Sequence, residues 1–198
     1  RSKAQTQSHD CRLRCQAIKL LGSHLICKYD FLNSRGGGSG SGSSSGSASS
    51  STGGSSSSAP ASSVSAELAV LREDEAKPLM GVLLALAEDG DLEQCPSYSE
   101  TDCSELRSQA ACTVLRLMEK GRFASLLNGH DWRELGYMMM DSDYNVRKRF
   151  VDKIVNAARG KYQLQSRFMS YLVFACDDPE PDLKQTAKKG LEQYCMRS

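Results

Sequence analysis

Arg147, Lys148, Arg149 and Lys153 place four cations within seven positions, and they are the sharpest polar feature of this 198-residue chain. Arg149 and Lys153 are four apart, so on a helix they stand on nearly one face. Such a patch suits an acidic peptide or a phosphate backbone. The same residues also suit an ordinary solvated helix face, with Lys148 meeting Asp152 one turn on. Other chemistry is thinner. Of the eight cysteines, Cys11 and Cys15 are four apart with His9 nearby, but no second ligand pair follows at zinc-finger spacing. No metal or other cofactor is expected, and the thiols read as reduced ones in an intracellular compartment. His9, His24 and His130 are scattered. Asp177 and Asp178 read as a turn and helix start, because paired-carboxylate catalysis needs two groups facing one pocket. Phosphate-loop, dinucleotide, zinc-protease and serine-hydrolase motifs are all missing. Met138, Met139 and Met140 read as core packing, with a soft partner-binding surface as the other reading. The chain is therefore expected to be no enzyme, with no catalytic residue and no small-molecule substrate.

The elements that must position these residues announce themselves by a spacing that returns four times. Leu13, Leu106, Val146 and Leu183 each open a run with apolar or small residues at offsets 4, 7, 8, 11 and 12. The runs are Leu13, Ala17, Leu20, Leu21, His24, Leu25; then Leu106, Ala110, Thr113, Val114, Leu117, Met118. Val146, Phe150, Lys153, Ile154, Ala157, Ala158 follows, and Leu183, Ala187, Gly190, Leu191, Tyr194, Cys195 closes the set. These offsets trace one stripe of a 3.6-residue helix. His24 and Lys153 are the misfits. Cys15, Cys112, Cys176 and Cys195 lie on or near the stripes as small hydrophobes. The later runs start 40 and 37 residues apart, the period of a HEAT- or armadillo-type solenoid. Three runs have an apolar first helix before them: Pro78 to Glu88, Asp131 to Met140, and Leu164 to Cys176. The first of these is apolar nearly all round and is expected to be deeply buried, with Pro78 in its first turn and Gly90 as its stop. Asp10, Asp102 or Ser104, and Asp143 are expected N-caps, and a proline in the 179–181 turn is expected to start the fourth run. A basic residue follows every opener: Arg14, Arg107, Arg147 and Lys184. Stacking is expected to bring each near the N-cap acid of a neighbouring unit, for example Arg147 near Asp102 or Asp143.

Gly36 to Ser58 holds 13 Ser, 8 Gly, one Ala and one Thr. It has nothing to bury and reads as disordered. A flexible chain of this length spans about 24–29 Å, enough to run the length of a neighbouring helix of roughly 22 Å. The expected organisation is a second helix of an incomplete repeat over 1–34, a disordered Ser/Gly linker over 35–66, and three helix pairs over 67–198. Opening inside a repeat at Arg1, the chain reads as a fragment of a longer protein. The fold class is all-α: a HEAT/armadillo-like helical solenoid with a disordered insertion. No span of membrane is expected, since the longest apolar stretch runs only from Leu79 to Ala87, against about 20 residues for a spanning helix. Residues 1–35 carry seven Lys/Arg against two Asp/Glu, and residues 67–198 carry 18 against 22. The basic part is too short to argue for a DNA-binding arm.

Five segments in order carry a resemblance: CQAIKLLGSHL (15–25), LLALAEDGDLEQ (83–94), SELRSQAACTVLRLMEKGRFASLL (104–127), YNVRKRFVDKIVNAARG (144–160) and LQSRFMSYLVFACDDPEPDLKQTAKKGLEQYC (164–195). Together they resemble the cohesin regulators named for precocious dissociation of sisters, protein five, in the C-terminal half of that family's HEAT array. The Ser/Gly run departs from the family, whose connection there is shorter and less biased. The resemblance implies a nuclear scaffold that binds the kleisin subunit of the cohesin ring. It implies joint action with a Wapl-type releasing factor and with cohesin acetylation to set how long the ring stays on chromatin, which the protein would meet only indirectly. None of the family's kleisin contacts transfers to a numbered position here, so Arg147, Lys148, Arg149 and Lys153 stand as the candidate partner surface from charge alone. Two other readings are a different HEAT scaffold, such as a nuclear transport receptor or condensin-like subunit, and a helical-repeat DNA glycosylase. The latter needs an Asp beneath a basic, aromatic-lined groove, for which Trp132 and Tyr144 are the nearest aromatics.

Overall fold

The computed structural model describes residues 8–36, 76–91, 98–159 and 166–197. Among the described residues there are helices and turns but no strand. Helix α1 spans His9–Gly36 and α2 spans 76–89. Helix α3 is Glu100–Met118, α4 is Gly129–Tyr137 with a 3-10 turn over Met138–Met140, and α5 is Tyr144–Arg159. A 3-10 turn over Ser166–Phe168 leads into α6, Met169–Ala175, and α7 is Pro181–Cys195. Helices α1, α3, α5 and α7 pack side by side in that order, and α6 crosses onto α5 and α7. The result is a row of second helices backed by first helices, an all-α HEAT-type stack.

Local chemistry sets the helix starts. Ser99 caps α3: its hydroxyl accepts the Asp102 N–H at 3.2 Å, and the Asp102 carboxylate accepts back from Ser99. This reciprocal box satisfies two orphan donors. It begins α3 earlier than expected and makes Asp102 its third residue rather than its cap. The box recurs at α4, where Asn128 accepts from His130 and Asp131 at 2.7 and 3.0 Å. Ser8, not Asp10, receives the Cys11 N–H at the start of α1. Asp143 does cap α5, accepting the Asn145 N–H at 2.8 Å, and Pro181 occupies the first turn of α7. Gly90 ends α2 with φ +77°, a backbone state open to glycine, and a Cβ there would lie 2.5 Å from the Cys103 carbonyl.

The runs opened by Leu106 and Val146 are buried as the spacing predicts, except that Lys153 and Ala158 are half-covered. In the Leu183 run, Leu183, Ala187 and Gly190 are buried, Leu191 and Tyr194 are half-buried, and Cys195 is exposed. The Leu13 run is overturned. Leu13, Ala17, Leu20, Leu21 and His24 are exposed, and the buried stripe is Cys11, Cys15, Ile18 and Gly22. The reason is close approach. A Cβ on Gly22 would sit 2.5 Å from the Thr113 methyl, so α1 meets α3 through small residues while its leucines fall on another face. Helix α2 likewise buries one stripe, Ala76, Met80, Leu83 and Ala87, and leaves Val82 exposed, so it is not apolar-buried all round. Helix α1 runs on to Gly36, past the boundary expected at 34. Nearly all of the Ser/Gly linker lies outside the described residues.

An aromatic knot joins α4 to α6. Trp132 meets Phe168 edge-on at 4.8 Å between ring centroids, and Tyr171 lies about 6 Å from Trp132, Phe168 and Phe150. The Tyr171 hydroxyl donates to the Trp132 carbonyl at 2.6 Å, and burial raises its phenol pKa.

Val114 is completely buried, so Val114→Asp places an uncompensated charge in the core. It is expected to cost several kcal/mol, seen as a large fall in melting temperature. Gly190→Ala is expected to cost about 1–3 kcal/mol in urea denaturation. Its new methyl would lie 2.6 Å from Val155 Cγ2 and 3.2 Å from Leu172 Cδ1.

Candidate partner-binding surface

The basic cluster does not form one patch. Helix α5 lies between α3 and α7, and its four cations divide between those neighbours. Arg147 is buried, with Nε 2.7 Å from Asp178 Oδ2 and Nη1 donating to the Asp141 carbonyl at 2.7 Å. Lys148 reaches Asp182 at 3.4 Å and lies over the Tyr144 ring, whose hydroxyl donates to the same carboxylate. Arg149 pairs back with Glu105 of α3, and Lys153 with Glu119 at 2.9 Å. Each charge already has an acid across a helix–helix contact.

Arg147 has an equivalent in Arg107, whose Nε lies 2.8 Å from Asp141 Oδ2. Each arginine follows a run opener, and each acid sits in the turn before the next second helix. Asp141 Oδ1 also accepts the Asp143 N–H, and Asp178 Oδ1 accepts the Glu180 N–H. One carboxylate thus shapes a turn and neutralises the preceding repeat's cation. The expected ladder onto N-cap acids is overturned: Arg147 pairs with neither Asp102 nor Asp143, and Arg107 and Arg147 meet the turn acids Asp141 and Asp178 instead. Arg14 is not a rung: it meets Asp10 at 3.2 Å on its own helix and stacks on Tyr98. Lys184 makes no ion pair among the described residues. Asp178 raises the Arg147 pKa by its hydrogen bond and charge. At Arg107 burial works the other way, but Asp141 outweighs it.

Asp102 is a second buried acid. It accepts the Ser8 N–H at 3.0 Å, and its own carbonyl lies 3.5 Å from the Cys11 thiol. This ties α1 to α3. Burial would raise its pKa, but the donors at Ser8, Ser99 and Cys11 win and hold it below the ordinary 3.8. Burial raises the Cys15 and Cys112 thiols, away from nucleophilic chemistry. No group of three or more His, Cys, Asp or Glu suited to a metal ion occurs among the described residues.

A groove of about 570 Å³ lies along α4 and α6, with Trp132, Met139, Met140, Arg167, Tyr171 and Phe174 in its walls. Met138 and Met139 are buried and Met140 is exposed, so the methionine run splits between core and surface. The groove lining includes no carboxylate, and Tyr144 is engaged with Asp182 instead. Trp132 and Tyr144 therefore do not form the acid-floored groove of a glycosylase.

Helices packed in a row and joined by repeated arginine–aspartate rungs define a HEAT-type repeat fold. A family model described as "Sister chromatid cohesion protein PDS5 protein" matches residues 3–198. The chain belongs to the PDS5 family of sister chromatid cohesion proteins. It is 24% identical over 106 residues to the sister chromatid cohesion proteins PDS5 homolog A-B and A-A of Xenopus laevis and PDS5 homolog A of Danio rerio. Each alignment covers 54% of this chain and 8% of the relative, so the matched region is a small part of those proteins. No solved structure matches the chain.

Arg147→Ala leaves Asp178 buried and unpaired and is expected to lower unfolding free energy by about 3–5 kcal/mol. Arg147→Met with Asp178→Leu is expected to recover most of that loss in the same denaturant titration. The lowered pKa of Asp102 means its stabilisation is complete above about 3.8 and is lost as pH falls through the lower folded value. Asp102→Asn is expected to lower the melting temperature at neutral pH and to flatten the acidic limb of its pH profile.

Proposed function

We propose that this chain is a segment of a non-enzymatic scaffold that regulates cohesin on chromatin by binding the kleisin subunit, together with a Wapl-type releasing factor. The observation that carries this reading is the PDS5 match along almost the whole chain. The printed names of the relatives support it, since each is a sister chromatid cohesion protein. The physics agrees: a stack held by local rungs offers a long surface on which binding energy is shared among repeats. The place of action is the nucleus. No described helix is long and apolar enough to cross a membrane.

Within the basic cluster, Lys148 and Arg149 are the members with exposed side chains, 40% and 42%. They are the candidates for an acidic stretch of the partner, whereas Arg147 is committed to the interior. Full-length protein is expected to co-precipitate with cohesin subunits from nuclear extract and with purified kleisin. Recovery of transport cargo in place of cohesin overturns the reading. Lys148→Ala with Arg149→Ala is expected to weaken kleisin binding by about 3–10-fold, the scale of exposed charges each contributing under about 1 kcal/mol. An unchanged affinity removes the cluster from the interface.

A further inference from the structure

Helices α4 and α6 carry apolar surface that the stack does not use. Tyr137, Met140, Val173 and Phe174 are 54%, 75%, 59% and 68% exposed. Tyr137, Met140 and Phe174 line the Trp132–Tyr171 groove, and Val173 lines the hollow beside it. At its Met140–Phe174 end the groove meets a second, more polar hollow of about 390 Å³, lined also by Asp141, Arg147, Asp177 and Asp178, so the apolar trough ends there. Lone exposed apolar residues are ordinary; a contiguous apolar trough is not. Its floor is stiff, because the aromatic knot and the Tyr171–Trp132 hydrogen bond fix it.

Charge on the rim is as informative as the trough. Arg133 and Arg167 both line the groove, and the Arg167 guanidinium lies 4.7 Å from the Trp132 ring centroid. Neither has an ion-pair partner among the described residues. The contrast is with Arg107, Arg147, Arg149 and Lys153, each of which meets an acid. An arginine held flat on an indole keeps its N–H edge free for a carboxylate. The buried indole N–H of Trp132 also has no acceptor among the described residues, an exception to the rule that buried donors are satisfied.

We propose that the α4–α6 groove docks a short linear segment of a partner protein in which a large apolar side chain stands beside one or more carboxylates. The apolar side chain enters between Met139 and Phe174, over Tyr171, and the carboxylate meets Arg167 and Arg133. A second copy of this chain fits poorly, because a two-fold contact buries the same patch from both sides, and the groove lining offers no carboxylate to meet these arginines. A small molecule fits poorly too, because such sites enclose most of their ligand, whereas this trough is rimmed by side chains more than half exposed. Methionine lining lets the trough adapt to differing side chains. The site lies on α4 and α6, away from Lys148 and Arg149, so it stands or falls separately from the kleisin reading.

Panning a phage-displayed library of random peptides on the full chain tests this. Enriched sequences are expected to place Phe, Trp, Leu or Met within a few residues of Asp or Glu. A fluorescein-labelled consensus peptide is expected to lose about tenfold in affinity, measured by anisotropy, on Phe174→Ser, as for an apolar anchor at an interface centre. It is expected to lose a similar amount on Arg167→Glu, and nothing on Lys148→Ala with Arg149→Ala. Phe174 is mostly exposed, so its replacement is expected to leave the melting temperature in place and keep the comparison clean. Failure of any sequence to enrich, a consensus without acids, or binding indifferent to both groove variants overturns the proposal. So does sedimentation showing a dimer that Phe174→Ser disperses, since the occupant would then be a second copy.

Discussion

A charged side chain taken out of water needs an opposite charge in a fixed place, and the stack depends on this constraint. Arg107 and Arg147 are each pinned between two repeats by an aspartate in the next turn. The apolar seam alone would allow helices to slide, because hydrophobic contact is non-directional. The rung removes that freedom: a shift along the helix axis strands a cation and an anion together. The same aspartates hold the turn backbone at Asp143 and Glu180, so turn shape and repeat register are set by one group. Burial of the seam supplies the driving force, and the rungs select one arrangement.

Most of the architecture was legible where periodicity was strong and the helix had neighbours on both sides. The Leu106 and Val146 runs show this: apolar residues at the stated offsets are buried because α3 and α5 each lie between two second helices. Helix α1 departs from the leucine periodicity because leucine does not mark its interior. Its contact with α3 instead selects cysteine and glycine, which permit close approach of two backbones. A signal for this existed: Cys11, Cys15, Ile18 and Gly22 keep the 4-3-4 spacing. The rung acids were missed for a related reason. Asp177–Asp178 reads locally as a turn feature, and nothing in local sequence says that Asp178 turns inward to meet a residue 31 positions earlier. Recurrence could have revealed it, since Asp141 and Asp178 each precede a second helix by a few residues.

The basic cluster shows how a run of charge in the sequence divides in space. On α5 consecutive residues point about 100° apart, so Arg147 and Lys148 address the Asp178–Asp182 side while Arg149 and Lys153, four apart, both address α3 and its C-cap. Acids from α3, α7 and the intervening turn neutralise them. The α4–α6 surface inverts that pattern: no run of charge marks it in the sequence, yet two arginines border an apolar trough. Its residues come from two segments separated by all of α5, and only the stack brings them side by side. Similarly, the Trp132–Phe168–Tyr171 knot was half-visible as apolar positions of two first helices, but not as a shared platform.

The docking of α1 has a consequence for how such chains diverge. Ser8 and Cys11 reach Asp102 across more than ninety residues of sequence, and farther along Gly22 packs on Thr113 and Lys120, just past α3, pairs with Asp30. Nothing in that joint measures the length of the polypeptide between its halves. Closure entropy grows only logarithmically with length, about 0.6 kcal/mol per doubling. Insertions between these two helices therefore cost little folding free energy, and a Ser/Gly-rich tract can lengthen or shorten there without disturbing the joint.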